Sequence, residues 1–438
     1  MDPMEHEQAL WLPFTANRAF WKQPRVISGA RGHYYTTADG RELLDGFSGL
    51  WSCGLGHAHP GIVAAVQQQV ATLDFSMTFQ ATNDKAIALA REVASMAPPR
   101  LHKVFFTNSG SESVDTALKI ALAYHRARGE GHRTRLIGRE RGYHGVNLGG
   151  TSVGGIAVNR KAFGAVLTPG VDHIRHTLSL PDMAFSRGQP SWGAHLADDL
   201  ERLAALHDPS TIAAVIVEPV AGSTGILVPP VGYLERLRAI CDQHGFLLIF
   251  DEVINAFGRL GAPFAATRFG VTPDLITTAK GLTNGVVPMG AVIVRQDIYD
   301  ALMQGPEHAV EFFHGYTYSG HPLAAAAGLA ALRAYREEDS FARVRALEPV
   351  FEEGLHSLRD EPNVVDIRNF GLMGGVELAP RDGVLGVRGF EVFLKCFEAG
   401  VVIRNGGDIL QFAPFFDSTE DELARIFETV RAALRATA

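Results

Sequence analysis

The chain has 438 residues, 46% of them apolar and 20% charged, a balance that supports a large buried core and excludes a disordered or collagen-like polymer. Lysine and arginine number 40 against 48 acidic residues, a formal charge of -8, so a surface built to neutralise a nucleic-acid backbone is not expected. Three cysteines, Cys53, Cys241 and Cys396, lie far apart with no C-x-x-C spacing, which argues against a disulfide framework or a zinc finger and for a reducing, cytoplasmic compartment.

Along the chain, the opening MDPMEHEQALWLPF has neither the basic start nor the long apolar core of a secretory leader. No apolar run reaches the length of a membrane helix, about 18 residues. The chain is expected to divide into 1–60, an aromatic and glycine-rich N-terminal segment of a small lobe; 61–330, a large ligand-binding domain; and 331–438, a C-terminal small α+β domain. Within 61–330, short apolar runs recur at 103–107 (KVFFT), 135–138 (RLIG), 212–217 (IAAVIV), 246–250 (FLLIF), 274–278 (DLITT) and 290–294 (GAVIV). Their lack of polar alternation suits strands covered on both faces, hence an α/β fold with a mostly parallel sheet flanked by helices. From Ser111, Val114, Ala117, Leu118 and Ala121 form one apolar stripe of a helix, and Ser109 and Glu112 have the spacing of a capping box. A second helix is predicted from about Val231 to His244, after Pro229-Pro230 and before Gly245. Beyond about Ser340 the texture changes to amphipathic helices and short strands such as 374–378.

Ligands of open α/β sheets bind outside the carboxyl ends of the strands, so the residues after each run are informative. KVFFT is followed by Asn108-Ser109-Gly110-Ser111-Glu112, a small-residue turn feeding a helix. Unpaired amides and the helix dipole, worth about 0.3–1 kcal/mol at exposed sites, make such a turn an anion cradle, although an ordinary capped helix has the same look. IAAVIV is followed by Glu218-Pro219, FLLIF by Asp251-Glu252-Val253 and DLITT by Ala279-Lys280. Singly, each acid reads as a cap and the lysine as a solvated side chain. Together, a phosphate cradle, a carboxylate and an amine at one sheet edge match the needs of pyridoxal phosphate: amides for the phosphate, an acid for the ring nitrogen and a lysine for the Schiff base. A charge-assisted bond from the acid contributes roughly 1.5–3 kcal/mol.

Asn108-Ser-Gly-Ser-Glu-Ser113, Gly142-Tyr-His-Gly145, Asp251-Glu-Val253 with Phe257-Gly-Arg259, Thr278-Ala-Lys280-Gly-Leu and Thr317-Tyr-Ser-Gly-His-Pro322 follow one another in order along the chain. The set resembles the class III pyridoxal-phosphate-dependent aminotransferases, which have the fold type I architecture. Leu10-Trp-Leu-Pro-Phe-Thr15, Ser48-Gly-Leu-Trp51 and Arg404-Asn-Gly-Gly-Asp408 bring it nearer to the ω-amino acid, or β-alanine, to pyruvate transaminases within that family. The resemblance implies Lys280 as the Schiff-base lysine and proton carrier, Asp251 on the pyridinium nitrogen, and Ser109, Gly110 and Ser111 on the phosphate. It places Tyr143 on one ring face with His144 beside it, Val253 on the other face, and Glu218 near the cofactor's hydroxyl network. Thr317 would reach the phosphate of a neighbouring subunit, which implies a homodimer, or a tetramer built from it, with shared sites. Phe14, Trp51 and Phe79 would wall the pocket. Arg404 would clamp the carboxylate of pyruvate and swing out for an apolar donor. The implied reaction moves an amino group from a primary amine or ω-amino acid to pyruvate, giving L-alanine and an aldehyde or ketone.

Other readings compete. His57-Ala-His59 has a spacing that could suit a metal hydrolase, but it sits in a glycine-rich turn. A dehydrogenase or nucleotidase would need glycine-rich nucleotide motifs that the sequence lacks. The presence of both Lys280 and Asp251 speaks against a non-catalytic pyridoxal-phosphate binding or regulatory module. A class III enzyme using 2-oxoglutarate would need a site for a second carboxylate, and no residue identifies itself for that role.

Overall fold

Strands in which apolar residues are consecutive have no face to turn to water, so both sides of their sheet must be covered. The computed structural model describes residues 9–438. The first eight residues, part of the 1–60 segment and of the stretch read for a leader, lie outside the described residues. β1 (Ile27–Arg31), β2 (Tyr34–Thr37) and β3 (Glu42–Asp45) form an antiparallel meander. β4 (Leu101–Thr107), β5 (Arg135–Arg139), β6 (Val171–Ile174), β7 (Ile212–Val217), β8 (Leu247–Asp251), β9 (Leu275–Thr278) and β10 (Gly290–Arg295) build a seven-stranded sheet in the order β4-β10-β9-β8-β7-β5-β6. Only β10 runs against its neighbours, being antiparallel to both β4 and β9.

The period of two along each strand divides the core into two layers. Ala214, Ile216, Ile249, Leu275 and Val292 pack with Val114, Ala117, Leu118 and Ala121 of the helix Gly110–Ala127. Their alternates Val215, Val217, Leu248, Phe250 and Ile276 join a larger cluster with Leu234, Leu237 and Ile240 of the helix Tyr233–His244. Burial of each valine, leucine, isoleucine or phenylalanine among them contributes about 1.5–3 kcal/mol, so the helix stripe and the strand runs are two sides of one interface.

The helix Gly110–Ala127 begins where the small-residue turn predicts, with the Ser109 hydroxyl accepting the Glu112 N–H at 3.2 Å. The reciprocal half of the capping box is displaced by one residue: the Glu112 carboxylate accepts from the amide of Asn108 at 2.7 Å rather than from Ser109. The second helix starts two residues later than expected, at Tyr233, because Gly232 takes a positive φ of 82° ahead of it.

β11 (Val364–Phe370), β12 (Met373–Leu378), β13 (Val401–Val402), β14 (Arg404–Gly406) and β15 (Ile409–Phe412) follow. β11, β12, β15 and β14 make an antiparallel sheet in that order, flanked by the helices Ser340–His356, Val387–Glu398 and Glu420–Ala436. β13 instead lies parallel to β3, with Val401 opposite Leu44, so the N-terminal and C-terminal parts of the chain share one four-stranded sheet, β1-β2-β3-β13. The helix Pro322–Glu337 runs through position 331, and the change of texture falls at its end. No helix among the described residues is long and apolar enough to cross a membrane.

Candidate active site

Because β4, β5, β7, β8 and β9 point the same way, the residues after them meet at one edge. There a cavity of about 120 Å³ is lined by Gly110, Ser111, Tyr143, His144, Gly145, Glu218, Asp251, Val253, Ile254, Ala279 and Lys280. Eight of these were singled out from the sequence; Gly145, Ile254 and Ala279 were not assigned a role there.

Asp251 ends β8 and is 5% exposed. One carboxylate oxygen is hydrogen-bonded by His144 Nδ1 at 2.7 Å, while the other accepts from the Thr277 hydroxyl at 3.1 Å and the Val253 amide at 3.2 Å. His144 is thus a buried support for Asp251, more specific than a place beside a ring. Thr277 escaped notice because nothing in DLITT distinguishes a threonine that bonds a neighbouring strand from one that merely suits a strand. Lys280 follows β9 with φ 44°, a backbone region that costs an ordinary residue energy and recurs at functional sites. Enclosure by protein lowers its ammonium to about 8; Asp251 and Glu218 oppose that shift, and Arg404 adds to it.

The Glu218 carboxylate accepts from the Tyr143 amide at 2.9 Å and the Gly222 amide at 3.2 Å. Burial raises its pKa, with His144 pulling the other way. Its geometry is that of a brace for the Tyr143 backbone. Gly110 and Ser111 open their helix with amides that have no backbone acceptor among the described residues. Gly110 also permits a close approach, since a Cβ there would stand 2.9 Å from a Val253 methyl. Ser109, whose hydroxyl caps the helix, is outside the cavity lining.

The remaining candidates are more dispersed. Arg404, on β14, has burial lowering its pKa and Tyr143 opposing that, and its guanidinium lies 5.9 Å from the centre of the Phe47 ring. Trp51 is 3% exposed and packs edge-on to Phe47 at 4.5 Å, in a cluster that includes Ile254; it does not itself line the cavity. Its loop has φ 44° at Ser48 and 63° at Trp51. Asp45 braces this loop by accepting from the amides of Phe47 at 2.8 Å and Gly49 at 2.6 Å and by bonding His57 at 2.9 Å. Asn284, just past the Lys280 turn, bonds the Leu55 amide at 3.0 Å and the Gly56 carbonyl at 2.9 Å.

Phe14 is 75% and Phe79 55% exposed, and Thr317 is exposed as well; none lines the cavity of its own chain. Phe79 and Thr317 sit on neighbouring segments, with the Thr78 hydroxyl donating to the Thr317 carbonyl at 3.2 Å. His57 and His59 do not converge: one bonds Asp45 at 2.9 Å and the other Glu338 at 2.7 Å. No cluster of three or more potential metal ligands occurs among the described residues.

The sequence model of the family described as aminotransferase class-III matches residues 16–434. The chain is 59% identical over 426 residues to an omega-aminotransferase of Caulobacter vibrioides, covering 97% of each chain. It is 54% identical over 434 residues to a beta-alanine–pyruvate aminotransferase of Pseudomonas aeruginosa, covering 98% of this chain and 96% of that one. Among solved structures, an omega transaminase from Pseudomonas jessenii in complex with PMP matches with a TM-score of 0.93 and 32% identity, covering 100% of this chain and 98% of that one.

Proposed function

Since the chain belongs to the class III aminotransferases, a pyridoxal-phosphate-dependent family, we propose that it moves an amino group from a primary amine or an ω-amino acid such as β-alanine to pyruvate. The observation that carries this reading is that Lys280, Asp251 and the free amides of Gly110 and Ser111 border one cavity at the edge of the large sheet. Those residues fit the cofactor: donors suited to a phosphate, a buried carboxylate suited to a ring nitrogen, and an amine with a depressed pKa. When bound, pyridoxal phosphate supplies the aldehyde that receives the amino group and a ring that withdraws electrons from the carbon losing it.

The chain's own groups divide the remaining work. Gly110 and Ser111 would hold the phosphate through their amides, aided by the helix dipole. Asp251 would pair with the positive charge of the ring nitrogen, with His144 and Thr277 keeping its carboxylate aimed. Tyr143, braced by Glu218, and Val253 would bound the ring. Lys280, whose amine is held down to about 8 by burial, would take the proton from the donor carbon that bears the amino group and, in the second half of the cycle, give one to the carbon of pyruvate that receives that group. Arg404 pairs with the carboxylate of pyruvate, and the apolar surroundings of Phe47 receive a donor that has none.

The test is a panel of donors and acceptors on purified protein, comparing pyruvate with 2-oxoglutarate. Pyruvate should be the better acceptor, and preference for 2-oxoglutarate would move the chain to another branch of the family. Arg404→Ala should weaken the pyruvate half-reaction about tenfold, the scale of one charge-assisted pair, and affect 1-phenylethylamine less. Equal losses would remove the clamp.

A homodimer with shared sites is part of the proposal. Phe313 is 89% and Trp11 87% exposed, along with Phe14 and Phe79, apolar area that a subunit interface would remove from water. In this reading Thr317 supports the partner's phosphate and Phe79, beside it, walls the partner's pocket. Light scattering should give about twice the chain mass of 47.3 kDa; a monomer of full activity would withdraw both roles. Three free cysteines accord with the proposed cytoplasmic setting.

A further inference from the structure

We propose that Asn284 and Tyr335 are positioning residues for the reaction: between them they pin the tight turn that carries Lys280, and so fix where its amine meets the cofactor and the substrate carbon. The inference rests on the reading of Lys280 as the cofactor-bonding amine and proton carrier, and extends it to what holds that amine in place.

A lysine amine sits on a flexible four-carbon stem, so its aim begins with the backbone that launches it. The turn after β9 is left-handed at Lys280 (φ 44°), Asn284 (51°) and Gly285 (69°). It closes through the Gly285 amide on the Lys280 carbonyl and the Asn284 amide on the Gly281 carbonyl, both at 3.1 Å. A strained backbone of this kind persists only where its surroundings over-determine it. Asn284 is 1% exposed, and its side chain pairs as a peptide would: Oδ1 accepts from the Leu55 amide at 3.0 Å while Nδ2 donates to the Gly56 carbonyl at 2.9 Å. The segment it grips is fixed in turn. The Gly54 carbonyl accepts from the Phe416 amide at 2.9 Å, and His57 exchanges both backbone bonds with Gly32 at 2.8 and 3.0 Å. On the other side Tyr335, in the helix Pro322–Glu337 and 1% exposed, donates its hydroxyl to the Gly281 carbonyl at 2.8 Å.

Neither anchor does its work on the amine directly. With either removed, residues 280–285 relax toward ordinary φ values, which turns the Lys280 Cα–Cβ bond and draws the amine out of its enclosure. The charged groups that face this amine are Asp251 and Glu218, which favour its protonated form, and Arg404, which with burial disfavours it. A displaced amine gains water, so its proton affinity climbs back toward the ordinary value of 10.5. Misplacement by about 1 Å also slows the transfer itself, by as much as roughly 10²-fold. Asparagine suits position 284 twice over, because it tolerates a left-handed backbone and carries both a donor and an acceptor. Glycine meets only the first requirement.

The test compares Asn284→Gly, Tyr335→Phe and Lys280→Ala. Glycine keeps the left-handed turn and deletes the two bonds to Leu55 and Gly56; phenylalanine keeps the ring and deletes one hydroxyl. The first readout is the uptake of pyridoxal phosphate by the apoprotein as a function of pH. The second is the single-turnover rate of the holoenzyme with 1-phenylethylamine bearing hydrogen or deuterium on the carbon next to nitrogen. In both Asn284→Gly and Tyr335→Phe the midpoint of uptake should rise from about 8 by about 0.5–1 pH unit, a three- to tenfold gain in proton affinity. The single-turnover rate should fall about tenfold, with a larger isotope effect and the Kd of the donor within about twofold of the parent. The proposal is overturned if the folded variants keep the parent's uptake midpoint and isotope effect, even where the melting temperature falls, because a merely structural role moves only the latter. If Asn284→Gly does not fold, Tyr335→Phe decides by the same measurements. Lys280→Ala separates the two levels: ordinary turnover there defeats the reading of Lys280 itself, whereas lost turnover there with indifferent Asn284 and Tyr335 variants defeats this proposal alone.

Discussion

Lys280→Ala is expected to reduce transamination by at least about 10⁴-fold, the upper range for a single group that transfers protons, and to remove the visible absorbance of the bound cofactor. The expectation follows from how little the site offers in its place. Glu218 is a carboxyl group whose pKa burial raises, and both its oxygens already accept backbone amides. His144 is engaged with Asp251. No other lysine lines the cavity, and the strained backbone at residue 280 aims this amine and no neighbour. The parent enzyme carries a second arm of the same prediction. Because the folded value is lowered from 10.5 to about 8, the neutral amine that attacks an aldehyde is already populated at mildly alkaline pH. Uptake of pyridoxal phosphate by the apoprotein should accelerate through about pH 8 and level off above it. Between about 8 and 10.5 the unfolded chain holds the extra proton, so this group makes the apoprotein more stable as pH rises through that window. An inflection above pH 10, or a Lys280→Ala enzyme with ordinary turnover, would refute the assignment.

Why so much of this site could be read in advance, and why some of it could not, has a physical basis. Strands buried on both faces advertise themselves by unbroken apolar runs, and the acid or lysine that ends such a run stands out. Asp251, Glu218 and Lys280 are of this kind. β6 escaped because it is the last strand of the sheet: in VDHI only Ile174 is buried, and Asp172 turns outward to His207 at 2.7 Å. Contacts between distant segments left no mark at either end. His144 and Asp251 are 107 residues apart, and Asn284 reaches back to Leu55 and Gly56. Trp51 is placed by its loop rather than by its motif: the positive φ values there and the packing on Phe47 bury its ring in a cluster with Ile254, a residue of the cavity lining. Phe79 and Thr317 are exposed and lie outside the cavity of their own chain, so the roles proposed for them require a second subunit, whose position no local pattern encodes.

Asp251→Asn should lower kcat by about 10- to 100-fold with little change in the melting temperature, the equivalent of roughly 1.5–3 kcal/mol for a hydrogen bond to a charged group. The upper end is favoured because the residue is 5% exposed, and a charge is screened poorly where water is excluded. The asparagine conserves the shape and one carbonyl oxygen for the Thr277 hydroxyl and the Val253 amide, which now bind the carboxylate at 3.1 and 3.2 Å. What it removes is the negative charge that, in the proposed role, would keep the ring nitrogen protonated, together with the oxygen that now bonds His144 Nδ1. The loss should therefore appear in kcat for every donor alike, because the electron demand of the ring does not depend on which amine is bound. Arg404→Ala must behave differently, dividing substrates by whether they carry a carboxylate. If Asp251→Asn instead discriminated among donors while leaving kcat for the best of them within threefold of the parent, the carboxylate would be shaping the pocket rather than holding the ring's charge. The melting temperature separates a third outcome. His144 is buried with its Nε2 unpaired, so if the His144–Asp251 bond were chiefly structural, Asp251→Asn would lower stability by more than the few degrees expected of an isosteric change, and kcat per folded molecule would be preserved.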